Sequence, residues 1–102
     1  MSKFDLDDIR TLEEGEDAGP EEQAMALQRA INNGMWGLQG SYGRSMMGAI
    51  EAGSCMLGTS PAHDYYGNRI PARHEVKAGT KGSREFVVER HGEEWAVMLE
   101  AA

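Results

Sequence analysis

Between Gly58 and Gly82 the chain shows no helical period, and turn formers follow one another: Gly-Thr-Ser-Pro, Tyr-Gly-Asn, Ile-Pro and Ala-Gly-Thr. A connection this long without regular structure is uncommon inside a compact domain and tends to be functional or disordered. It separates a helical stretch before it from an ambiguous stretch after it. With 102 residues in all, there is room for one domain, which buries roughly 60–65% of its unfolded surface and needs good packing or self-association.

Ahead of the loop, "PEEQAMALQRAINNG" predicts a helix over about 20–33. Pro20 suits a first turn because its missing N–H has no partner there anyway. Glu21 and Glu22 face the N-terminal dipole, while Ala24, Leu27, Ala30 and Ile31 make an apolar face that ends at Asn33-Gly34. "SYGRSMMGAIEAG" predicts a second helix over about 41–52, capped by Ser41, ended by Gly53, with Tyr42, Met46, Ala49 and Ile50 inward. Gly43 and Gly48 weaken it by roughly 1 kcal/mol each relative to alanine. Their retention implies close approach by another backbone, within the fold or from a second subunit. "SCML" reads as a short extended stretch.

After the loop, "SREFVVERHGEEWAVMLEAA" reads two ways. As helix, Ser83 caps it and Val88, Trp95 and Leu99 share a face; as hairpin, "REFVVER" pairs with "EEWAVML" across His91-Gly92. Helix propensity after Gly92 favours the first. The fold class expected is therefore mainly α, a small single domain with a long irregular loop; the alternative is α+β with a C-terminal hairpin.

The net charge of −7 sits in the first fifth of the chain. Residues 1–22 hold nine acidic side chains against Lys3 and Arg10, and residues 23–102 are neutral, with eight of each sign. The organisation expected is an acidic, flexible arm over 1–19 and one compact domain over 20–102. Such a segment usually stays solvated because repulsion and low hydrophobicity leave little to bury. The sharper reading is an arm that docks on a basic partner. Phe4, Leu6, Ile9 and Leu12 are spaced to line one side of a short helix and support it.

Several chemistries find little support. No apolar run approaches the roughly 18 residues of a spanning helix, and "MSKFDLDDIR" lacks the apolar core of a secretory signal. The single Cys55 excludes an internal disulfide framework and fits a reducing cytoplasm. Cys55, His63, His74 and His91 match none of the strong zinc spacings, and nothing fixes a nucleophile geometry around Cys55, a histidine and Asp64. No metal, cofactor or catalytic residue is expected. "GLQGSYG" repeats glycine before a helix and its first part is similar to the KH-domain clamp. It lacks the Gly-Lys-Ser/Thr ending of a P-loop and carries Leu38 and Gln39 where a basic residue is usual, so a helix–helix turn is preferred. Met25, Met35, Met46, Met47 and Met56, grouped around Trp36, fit either a core or an adaptable protein-binding surface.

The candidate site is the loop itself. Arg69, Arg73, Lys77, Lys81 and Arg84 are opposed in their interval only by Glu75, and Tyr65 and Tyr66 stand just upstream. Arginine with tyrosine dominates interface hot spots and single-strand stacking sites alike. A loop that is merely solvated, one that docks on a protein and one that binds nucleic acid all remain open. The overall charge opposes the last.

At "DYYGNRIPARHEVKAGTKGS" the sequence resembles small uncharacterised proteins of bacteriophages and prophages, over roughly residues 36–90. Such proteins include inhibitors of host defence, anti-CRISPR proteins among them. The resemblance implies a non-enzymatic, cytoplasmic inhibitor that blocks a host protein or nucleoprotein complex, with homodimerisation also open. Asp5, Asp7, Asp8, Glu13, Glu14, Glu16 and Asp17 would meet a basic surface, and Tyr65, Tyr66, Arg69 and Arg73 would anchor a second contact. The alternative is a small nucleic-acid-binding or regulatory protein using the loop over 64–84.

Overall fold

The computed structural model describes residues 8, 11, 12, 19–37 and 40–102, with the backbone alone at 40 and 41. The fold is mainly α: helix α1 (Pro20–Asn32), a 3-10 turn (Met35–Gly37), α2 (Gly40–Ala52), strands β1 (Ala62–His63) and β2 (Arg69–Ile70), a 3-10 turn (Arg73–Glu75), α3 (Arg84–His91) and α4 (Glu93–Glu100). Its radius of gyration, 12.4 Å, matches the ~13 Å of a compact 100-residue domain.

Helix α1 starts with Pro20 in the first turn and Gly19 as the flanking residue. It stops where the Asn33 amide turns back to the Arg29 carbonyl and Gly34, at φ 68°, closes on Ile31. Its buried stripe is wider than the apolar spacing predicts, because Gln28 is enclosed along with Ala24, Ala26, Ala30 and Ile31. Helix α2 buries Met46 and Ile50 and ends at Gly53. It begins at Gly40, so Ser41 lies inside it and is not the flanking cap. A Cβ at Gly43 or Gly48 would meet nothing within 4 Å, so outside the helix itself no backbone among the described residues approaches either one. The close approach occurs at Gly58, where a Cβ would stand 3.1 Å from the Ile31 carbonyl oxygen.

The C-terminal stretch is helical, not a hairpin, but Gly92 at φ 95° divides it into two helices that fold against each other. Ser83 caps α3, its Oγ accepting from the Phe86 amide at 3.1 Å. Helix α1 packs on α2 and α4, and Trp36, Met46, Cys55, Met56, Val87 and Leu99 fill the space between them. Residues 55–57 are buried but form no strand.

The long loop is structured by its own hydrogen bonds. The Leu57 amide donates to the Gly82 carbonyl and the Arg73 amide to the Gly58 carbonyl, which closes the loop at its base. At its tip, β1 and β2 pair antiparallel with Ala62 opposite Ile70 and His63 opposite Arg69. The turn between them is built by Asp64, whose Oδ1 accepts from the Tyr66 and Asn68 amides, each at 2.9 Å. Gly67 takes the left-handed conformation this requires (φ 84°).

Candidate functional site

Asp64 holds the tip in one shape. Desolvation raises its pKa, but hydrogen bonds from the Asn68 amide and side chain and from the Tyr66 and Gly67 amides outweigh that and keep the carboxyl below its ordinary value. A turn fixed this way thrusts the two tyrosines outward. Tyr65 is 70% exposed and Tyr66 82%, with their rings edge to face at 5.3 Å between centroids. Among the described residues, large hydrophobic side chains are exposed only at Met47, Tyr65, Tyr66 and Val97.

Three of those four line one cleft. Its volume is about 240 Å³, and Trp36, Met47, Ile70 and the two tyrosines form its walls, with Gly43, Arg44 and Asp64 at the margin. Trp36 is 3% exposed and Met47 36%. Helix α2 contributes Gly43, Arg44 and Met47, which recur on one side at three- and four-residue intervals. The methionines thus divide: Met46 and Met56 are core, Met25 and Met35 pack against it, and Met47 reaches the cleft. Two wider grooves, of about 350 and 360 Å³, include charged side chains already bonded within the fold, Asp8 and Arg29 in one and Arg73 and Arg84 in the other, and none of the exposed large hydrophobics. Hydrophobic exposure singles out the smaller cleft.

The expected cationic ribbon is mostly spent internally. Arg69 grips Glu75 with both terminal nitrogens, at 2.7 and 2.8 Å. That bond raises the arginine pKa and lowers the carboxyl's. Arg73 turns inward, its Nε donating to the Leu57 carbonyl at 2.8 Å, and burial lowers its pKa. Arg84 binds Glu93 and Glu100, and Lys81 lies 3.7 Å from Glu51. Arg73 therefore secures the loop base, and Arg69 remains at the surface only as half of an ion pair. The sequence expectation overlooked these partners because Glu93 and Glu100 lie outside the loop interval, and Leu57 offers a carbonyl that no side-chain pattern reveals.

Of the acidic residues, Asp8 is 5% exposed and its Oδ1 accepts from Arg29 at 2.7 Å. It serves as an internal counter-ion and is not displayed to a partner. Asp5, Asp7, Glu13, Glu14, Glu16 and Asp17 lie outside the described residues, as do Leu38 and Gln39 of the glycine-rich turn. Among the described residues no three His, Cys, Asp or Glu side chains come together as a metal site, and no helix is long and apolar enough to cross a membrane.

Cys55 is fully enclosed. Its thiol donates to the Ala24 carbonyl at 3.3 Å, and burial pushes its pKa up to about 12. A thiol held neutral and out of solvent is a poor nucleophile. In the native protein a disulfide reagent at pH 8 should therefore label it no faster than global unfolding, with complete reaction on adding denaturant. Prompt native-state labelling would show that the site opens locally.

No protein family, curated protein or solved structure matches this chain.

Proposed function

We propose that this protein is a non-enzymatic binding module that grips a protein partner with the cleft between the tyrosine tip and helix α2. One observation carries the reading: Met47, Tyr65 and Tyr66, three of the four large hydrophobics exposed among the described residues, converge on one cleft. Exposed apolar side chains scattered singly need no explanation, whereas a contiguous group rimmed by polar residues marks an interaction site. Tyrosine brings large contact area at small entropic cost, and here the Asp64 turn has already fixed the backbone beneath both rings.

The specific form we favour is stoichiometric blockade of a bacterial host protein, a nucleic-acid-binding defence complex in particular, which is what the resemblance to small uncharacterised phage and prophage proteins implies. The acidic leading segment supports it, since negative charge would speed encounter with a basic surface. Direct nucleic-acid binding is the weaker reading, because Arg69, Arg73 and Arg84 already have partners of their own.

The test uses the immobilised full chain, a bacterial lysate and two variants. Tyr65→Ser/Tyr66→Ser removes the rings, and Gly43→Leu places a side chain at the cleft margin. Both should preserve the fold, since the tyrosines are exposed and a Cβ at Gly43 meets nothing. The expected result is a bacterial protein retained by the wild type and depleted about tenfold by each variant, the loss of roughly 1.4 kcal/mol of binding that a modest hot spot supplies. Equal retention by all three sinks the reading. So does a gel shift with random DNA or RNA at low salt that accounts for everything recovered.

A further inference from the structure

Arg44 lines the cleft, is exposed, and has no hydrogen bond or ion pair among the described residues. Every other described arginine is engaged: Arg29 with Asp8, Arg69 with Glu75, Arg73 with the Leu57 carbonyl, Arg84 with two glutamates, and Arg90 over the Phe86 ring at 4.9 Å. In a molecule with net charge −7 whose other described guanidinium groups are all engaged, an arginine with no described partner beside a cleft lined by three exposed hydrophobics is an unmet electrostatic demand.

The cleft's dimensions narrow the occupant. Its volume of about 240 Å³ falls below the ~300–1,000 Å³ typical of pockets for drug-sized ligands. It suits one large side chain anchored from a longer segment. The walls are apolar and aromatic, so that side chain is aliphatic or aromatic. An aromatic lining of this kind would also suit a lysine or methylated amine. Two features oppose that choice: Arg44 repels a cation, and Asp64, the one carboxylate among the described lining residues, already accepts bonds from Tyr66 and Asn68.

We propose that the cleft takes a peptide segment of the partner in which a Leu, Phe or Trp side chain enters between Trp36, Met47 and the tyrosines while a neighbouring Asp or Glu pairs with Arg44. This rests on the reading of the cleft as a protein-docking site and adds the chemistry of what docks there. Arginine presents a planar fork that meets a carboxylate with two parallel bonds, so the pair fixes the orientation of the segment as well as adding affinity.

The probe is a displayed library of random short peptides, selected separately on the wild type, on Arg44→Glu and on Tyr65→Ser/Tyr66→Ser. Because the Arg44 side chain is exposed and has no hydrogen bond or ion pair among the described residues, Arg44→Glu should melt with the wild type, and that melt is the folding control. Selection on the wild type should enrich Leu, Phe or Trp beside Asp or Glu. The best peptide should bind Arg44→Glu at least tenfold more weakly, and its Asp→Lys or Glu→Lys counterpart should recover binding to that variant. Enriched peptides that lack an acidic neighbour, carry Lys instead, or ignore Arg44→Glu overturn the inference and leave the docking cleft standing if the tyrosine variant still abolishes binding. Failure to enrich any peptide that needs the tyrosines removes both. A single-stranded oligonucleotide that binds tightly and is lost on Arg44→Glu would reassign the arginine to phosphate.

Discussion

Replacing Gln28 by leucine should lower stability by about 3 kcal/mol, although leucine is the more hydrophobic residue and of comparable size. Gln28 is fully buried, and its side-chain amide acts as a short piece of strand against residue 56. Nε2 donates to the Met56 carbonyl and Oε1 accepts from the Met56 amide, both at 2.9 Å, while Nε2 also reaches Asn32 Oδ1 at 3.0 Å. Leucine leaves a buried N–H and a buried C=O without partners, at a cost of ~1–3 kcal/mol each, less what the added apolar contact returns. In a domain of this size ~3 kcal/mol corresponds to a fall in Tm on the order of 15 °C, readable by circular dichroism. Gln28→Glu gives a sharper version. The carboxylate can accept from the Met56 amide but has nothing to donate to the carbonyl, and its buried charge raises its folded pKa above the unfolded value. The protonated acid restores donor and acceptor together. The deficit relative to wild type should therefore shrink as pH falls from 7 to 5. A constant deficit over that range would mean that the introduced carboxyl takes up no proton there, against the donor–acceptor account of the site.

Gln28 also marks the limit of what the sequence disclosed. Helix α1 was legible from Pro20, the paired glutamates, the spacing of Ala24, Ala30 and Ile31, and the Asn33-Gly34 stop, all of which act within a few residues of one another. Gln28 on the buried side breaks that pattern because its partner is 28 positions away. The C-terminal helices were legible in type through propensity and the Ser83 cap. The break between them was not, since Gly92 is tolerated both in a helix and in a turn until packing chooses. The loop shows the same division. Its composition disclosed turns and two tyrosines destined for the surface. Pairing of β1 with β2, and the diversion of Arg69, Arg73 and Arg84 into internal bonds, depend on contacts closed in three dimensions. Arg44 gives no signal in the sequence, because it lies in a helix whose glycines are the more conspicuous feature. Those glycines leave open space, and at Gly43 the space is the cleft itself.

Gly82→Ala should be about as damaging as the loss of Gln28, for an unrelated reason. Gly82 sits at φ 93°, where an L side chain is strained, and a Cβ there would lie 2.6 Å from Leu57 Cδ1 and 2.7 Å from Cγ. Leu57 has little freedom to withdraw, because its side chain is buried in the core and its amide is bonded to the Gly82 carbonyl at 3.0 Å. Backbone strain of ~1–2 kcal/mol and overpacking of ~1–3 kcal/mol together give an expected loss of about 3 kcal/mol. Gly79 separates the two contributions, since at φ 86° a Cβ there meets nothing within 4 Å. Gly79→Ala should then cost only the strain, about 1 kcal/mol. A double-mutant cycle isolates the clash. Leu57→Ala alone should cost ~2–5 kcal/mol as a core truncation, yet it vacates the space the new methyl group needs. The double variant should be more stable than the two single losses predict by ~1–2 kcal/mol, within the range found for residues in direct contact. Simple additivity in urea titrations would place the whole cost in the backbone of Gly82 and none in its approach to Leu57. Gly82 closes the base of the loop that carries the tyrosines, so a Gly82→Ala protein that stays folded should also bind peptide less well than one carrying Gly79→Ala.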